Sequence, residues 1–133
     1  MKVEGSCFCG SVRFEAEVDP ERVSICHCTD CQELTGTAYR VSVRAQGDQF
    51  KLVSGTPKTY VKTAESGSKR AQVFCPECGS QLYAHSVDGP RNYSLRVGVL
   101  RQRRELAPRR QIWCQSAFGW TQDLSGLPRT ERQ

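Results

Sequence analysis

Seven of the eight cysteines fall into three tight clusters: Cys7 and Cys9 in CFCG, Cys26, Cys28 and Cys31 in CHCTDC, and Cys75 and Cys78 in CPECG, leaving Cys114 alone. The opening residues MKVEGSCFCG lack the apolar stretch of a signal peptide, and no apolar run approaches the length of a membrane span. The expectation is a cytoplasmic protein with no membrane partner. In a reducing compartment such closely spaced thiols point to metal ligation rather than to a disulfide framework. Metal ties between distant clusters then dictate how the chain folds.

CPECG carries the strongest local signal. Two residues between cysteines let the backbone curl so that both sulfurs face one ion, while free N–H groups donate to the thiolates. Pro76 fixes the first bend, and Gly79 suits the positive φ that closes it. CFCG resembles a tighter knuckle with Gly10 in the corresponding place. Together Cys7, Cys9, Cys75 and Cys78 make a closed four-thiolate zinc site, which has no position for a substrate and is therefore structural. It would clip the start of the chain to its middle.

Cys26, Cys28 and Cys31 remain as three ligands for a second zinc, giving two ions per chain. His27 lies between candidate ligands and in an extended stretch points away from them. Three ligands with an open fourth position is the arrangement of catalytic zinc. A distant His85 or Cys114 would instead close the site, and spacing alone does not choose between open and closed. His85, in the alternating YAHSV, reads as a strand-face residue, and Cys114 as a buried or half-buried thiol. Three thiolates leave zinc a poor activator of water but a good host for an exogenous thiolate, so the chemistry tends toward thiols rather than metallohydrolysis.

Alternating segments VRFEAEV (12–18), AYRVSVRA (38–45), FKLVS (50–54), TYVKT (59–63) and SLRVGVL (94–100), each bounded by turn residues, predict an all-β fold of short antiparallel strands. One short helix fits TDCQEL, capped by Thr29 or Asp30 and ended by a left-handed Gly36. Trp113 and Trp120 are expected to be buried in the final strands rather than to flank a pocket. With 133 residues and no linker or repeat, the chain reads as a single domain, 1–133.

The formal charge of +5 falls to +2 if seven thiolates hold two zinc ions. The residual basic stretch, Arg101, Arg103, Arg104, Arg109 and Arg110, reads as a solvated loop or strand edge. It has no interleaved aromatics, which argues against a nucleic-acid surface. Nothing in the sequence indicates an oligomeric state.

The ordered set GSCFCGSVRFE, CHCTDCQELTG, SGSKRAQVFCPECGSQL, LRVGVL, IWCQSAFGW and GLPR resembles the CENP-V/GFA domain family, named for the glutathione-dependent formaldehyde-activating enzyme. The resemblance implies a β-tent of antiparallel sheets, a structural zinc on Cys7, Cys9, Cys75 and Cys78, and a catalytic zinc on Cys26, Cys28 and Cys31 where the thiol substrate binds. The implied reaction joins glutathione to formaldehyde, giving S-hydroxymethylglutathione, and belongs to carbon–sulfur lyase chemistry. Its partners would be a small-molecule thiol and an aldehyde. Chain proximity then offers Gln32, Thr35, Gly36, Thr37 and Tyr39 as site neighbours, with Thr37 and Arg40 as candidate glutathione contacts and Arg40 suited to a carboxylate. Plainer roles for these are a helix-ending turn and a surface strand position. Two other functions stay open: the same apparatus acting on another thiol or a glutathione conjugate, or a non-catalytic module binding protein or nucleic acid.

Overall fold

The computed structural model describes all residues, 1–133. Ten strands make two sheets. The smaller has the order β1 (Lys2–Ser6), β2 (Arg13–Glu17) and β5 (Phe50–Ser54). The larger runs in space from β10 (Arg110–Ile112) through β3 (Ser24–Cys26), β4 (Arg40–Gln46), β9 (Asn92–Arg96), β8 (Gln81–Ser86) and β7 (Lys69–Phe74) to β6 (Lys58–Thr63). Every pairing is antiparallel except β10 with β3, which is parallel. The mainly β expectation therefore holds, with one parallel edge added. No helix is long and apolar enough to cross a membrane.

An aromatic junction joins the sheets. Phe14 of β2 stacks on Phe50 of β5 and meets the Tyr83 ring of β8 edge-on, both at 5.4 Å between centroids. Phe50 in turn stacks on Tyr93 of β9 at 4.0 Å. Gly5 lies opposite Phe14 in the β1–β2 register, and the Phe14 ring occupies the place where any Cβ would stand. Around this junction, 18 buried residues form the core, including Val3, Val12, Val43, Val73, Leu82, Leu95 and Leu100.

Strand alternation sorts the larger sheet into two unlike faces. Val43, Ala45, Ala71, Val73, Tyr93 and Leu95 turn to the buried side. Their neighbours Arg40, Ser42, Arg44, Arg70, Gln72, Ser94 and Arg96 share the other face, where they line one cavity. A bulge at the start of β8 adjusts this sorting. Val73 pairs with Tyr83 but Phe74 with Gln81, so Leu82 is the extra residue and Gln81 joins the polar face.

The one α-helix, α1 (Thr29–Thr35), links β3 to β4. Gly36 ends it at φ 66°, as expected, and its N–H donates to the Gln32 carbonyl at 2.8 Å. Neither Thr29 nor Asp30 caps its start. Cys28 occupies that position, its Sγ accepting from the Cys31 N–H at 3.3 Å, while Asp30 is drawn outward to Lys62 Nζ at 2.6 Å.

Three other expectations are corrected. The strand read through 94–100 stops at Arg96, because 97–99 tighten into a 3₁₀ turn with the Leu100 N–H on the Val97 carbonyl. Beyond Ile112 there are only 3₁₀ turns and irregular chain, so Trp113 and Trp120 are exposed rather than buried in strands. Cys114, in one of those turns, is likewise exposed.

Candidate metal centres

The chain brings seven of the eight cysteines into two groups, one of Cys7, Cys9, Cys75 and Cys78, the other of Cys26, Cys28 and Cys31. Within each group all sulfurs lie within 4.8 Å of one another. His85 and Cys114 belong to neither. His85 stands on β8 with Nδ1 2.9 Å from the Ser86 carbonyl and its ring against Tyr93, which suits the strand-face reading.

The four-thiol group brings the turn after β1 beside the turn between β7 and β8, so an ion held there would tie the two sheets together. Both closing glycines have the required backbone, Gly10 at φ 81° and Gly79 at φ 77°. Sulfurs 2.3 Å from a tetrahedral zinc are separated by roughly 3.8 Å. The Cys7–Cys9 and Cys9–Cys75 sulfurs are 3.6 and 3.8 Å apart, so the donor set fits that ion.

Donors surround these sulfurs. The Val12 N–H points at Cys7 Sγ at 3.2 Å, and the Ser11 hydroxyl lies 3.2, 3.5 and 3.7 Å from the sulfurs of Cys9, Cys75 and Cys7. Ser80 is 3.2 Å from Cys78, and its hydroxyl and backbone N–H hold that thiol down to about 5. A thiol lowered that far is already the ligating form at neutral pH. Neither serine was singled out from sequence, although each stands two residues beyond a knuckle cysteine.

The three-thiol group is carried by the end of β3 and the first turn of α1. Because Cys28 is the cap and Cys31 lies three residues on, the helix start brings their sulfurs together beside Cys26. The Cys31 S–H hydrogen bond pulls the Cys26 thiol below its ordinary value, against the effect of burial. His27 turns away, as expected. It is buried, its Nε2 is 2.7 Å from Gln111 Oε1, and its ring meets Tyr39 edge-on. Three mutually close soft donors fit zinc, with one tetrahedral position left for a ligand from outside the group.

Cys26, Cys28 and Cys31 line a cavity of about 250 Å³. Its floor is of small residues, Ser24, Ser42, Ala84 and Ser94, and its walls are cationic. Arg40 pairs across strands with Cys26, and the register aligns Arg110, Ser24, Ser42 and Arg96 in one row over four strands. Gln72 Oε1 accepts from Arg40 at 3.4 Å and from Arg96 at 2.8 Å, which holds the two guanidinium groups side by side. Burial, reinforced by the charge of Arg40, lowers Arg96 to about 9.

Sequence reasoning found Arg40 but not Arg44, Arg70 or Arg96. The signal was the alternation itself: RVSVR, RAQV and SLR place the arginines, serines and Gln72 on the face opposite the valines, Ala71 and Leu95. Arg40 is buried in the cavity wall, not a surface strand residue. Thr37 is exposed and does not line the cavity. Thr35 serves the helix end by donating to the Cys31 carbonyl at 2.6 Å, and Gln32 ties the helix to the chain's end by donating to the His27 and Ser116 carbonyls. Trp113, the one non-glycine residue at positive φ (58°), lines the cavity; Trp120 does not.

The basic 101–110 stretch is split among different surroundings. Arg101 pairs with Glu4 at 3.3 Å and Arg109 with Glu21 at 3.2 Å, while Arg110 faces the cavity.

Comparison with known proteins places this arrangement. A Rhodobacter sphaeroides protein of known crystal structure shares the fold, with a TM-score of 0.63, 20% identity, and coverage of 81% of this chain and 98% of that one. An uncharacterized lyase of Schizosaccharomyces pombe is 25% identical over 104 residues, 74% of this chain and 68% of the relative. A Halomonas elongata protein, named provisionally as a glutathione-dependent formaldehyde-activating enzyme, is 32% identical over 95 residues, 68% of this chain and 60% of the relative. The sequence model of the glutathione-dependent formaldehyde-activating enzyme family matches residues 2–116, a span that runs from β1 past β10 and includes both cysteine groups. By that match the chain belongs to the glutathione-dependent formaldehyde-activating enzyme family.

Proposed function

We propose that the chain is a zinc-dependent enzyme that joins a thiol, glutathione in the family's description, to formaldehyde. The observation that carries this reading is the three-thiol group opening on a cationic cavity, whereas the four-thiol group is complete in itself. Cys26, Cys28 and Cys31 would hold the second ion, and Cys7, Cys9, Cys75 and Cys78 the first. Zinc held by these three cysteines would favour the deprotonated form of an incoming thiol at neutral pH, the proton leaving to solvent.

The chain's own residues do the rest. The wall formed by Arg40 and Arg96 draws an anionic ligand to the side of Cys26, and Gln72 keeps both guanidinium groups in place. The sulfur forms a bond to the aldehyde carbon, and the carbonyl electron pair passes to oxygen. The resulting alkoxide is stabilised by the guanidinium N–H groups and takes a proton from water. The floor of serines and alanine leaves room for the small electrophile.

The test is direct. With the zinc-loaded protein, two-dimensional exchange NMR of glutathione and ¹³C-formaldehyde is expected to show faster interconversion with S-hydroxymethylglutathione, in proportion to enzyme concentration. No acceleration over the buffer reaction, with both zinc ions present, would reject glutathione and formaldehyde as the substrate pair. A second reading, the same apparatus with another thiol, is favoured by the cavity's excess of arginines.

A further inference from the structure

Five guanidinium groups line the three-thiol cavity, those of Arg40, Arg44, Arg70, Arg96 and Arg110. None has a carboxylate within 4.0 Å; the cavity's lysine, Lys62, is already paired with Asp30. Arg40 and Arg96 are more than nine-tenths buried, and the Nε of each has no hydrogen-bond partner. Buried cations without counter-charges are costly, so their occurrence on one face calls for an anion that arrives with the ligand. The three thiolates do not supply it, because with a divalent ion among them they retain a single negative charge.

Glutathione matches this surplus poorly. Its two carboxylates are partly offset by an ammonium group, which has no acidic partner here: the cavity lining contains no aspartate or glutamate. Size points the same way. At about 250 Å³ the cavity lies below the range of about 300–1,000 Å³ that encloses larger ligands, so a tripeptide overhangs it. The small-residue floor between Arg96 and Arg44 instead suits a compact group with anionic arms on both sides.

We propose that this sheet face is a recognition subsite for compact polyanionic ligands, and that the thiol preferred here is an acidic one of the mercapto-dicarboxylate class, without an ammonium group. The thiol reading above fixes where the ligand's sulfur sits; the anion subsite stands on the arginines alone.

Calorimetric titration of the zinc-loaded chain with mercaptosuccinate, glutathione and 2-mercaptoethanol tests it, alongside methylthiosuccinate, which keeps both carboxylates but has no free S–H. Mercaptosuccinate is expected to bind about tenfold or more tighter than glutathione at low salt, and to weaken as salt rises. Arg44→Gln and Arg70→Gln, both at less buried positions than Arg96 and so safer for folding, are each expected to weaken mercaptosuccinate about fivefold to tenfold. Their 2-mercaptoethanol affinity should stay within about twofold of wild type, since that thiol carries no carboxylate for the arginines. Glutathione binding as tightly as mercaptosuccinate, or affinities indifferent to both arginine variants, would overturn the proposal. Arginine-dependent binding of methylthiosuccinate with no gain from a free S–H would support the subsite while sinking the thiol–zinc reading.

Discussion

Replacing Cys75 by serine is expected to leave the chain without a cooperative fold. Cys75 is fully buried and its sulfur is one of four that join the two sheets. Binding of a structural zinc contributes about 10–16 kcal/mol in zinc-finger peptides at neutral pH, comparable to the whole stability of a small protein at about 5–15 kcal/mol. Losing even half of that contribution removes most of the margin. The aromatic junction of Phe14, Phe50, Tyr83 and Tyr93 and the apolar core around it would then have to hold the sheets without the metal tie. Soluble yield, zinc content and the thermal transition followed by circular dichroism should fall together. A Cys75→Ser variant that keeps two zinc ions and a sharp melt would refute the structural assignment.

Replacing Cys28 by serine should have the opposite profile. The Cys28 sulfur caps α1, and a serine hydroxyl is itself among the best caps, so the helix start survives the exchange. The melting temperature is expected to stay within about 5 °C of wild type. The three-thiol group, however, loses a ligand, so zinc should drop from about two to about one per chain and activity by about 100-fold or more. Comparing the two variants separates structural from catalytic zinc in a way that either alone does not. Equal loss of fold in both would mean that the second group is also structural.

The sequence exposed the cysteine groups because knuckle spacing is local: CPECG and CFCG each fix the relation of two sulfurs within a single turn, and their glycines take the positive φ that those turns require. Strand positions were also readable where alternation was clean, as for β5, which spans 50–54 as expected. What stayed hidden depends on pairing across the sheet. That Arg96 lies in the same row as Ser42 and Arg110, or that Gln72 binds both Arg40 and Arg96, follows from a register set by contacts distant in the chain. The bulge that turns Gln81 toward Arg40, placing its Oε1 3.0 Å from the guanidinium, is of the same kind. Trp113 and Trp120 misled for another reason: large apolar side chains suggest burial, but after β10 the chain makes short 3₁₀ turns that leave both exposed.

The central claim is that one zinc is closed by four protein sulfurs while the other, held by three, accepts a sulfur from the substrate. Zinc X-ray absorption of the fully loaded protein measures it most directly, by the average number of sulfurs around each ion. Two sites with seven cysteine ligands predict about 3.5 sulfurs per zinc without thiol, rising to about 4 when a saturating thiol is added. A value already at 4 without added thiol, or one near 3.5 that no thiol raises, would contradict the claim.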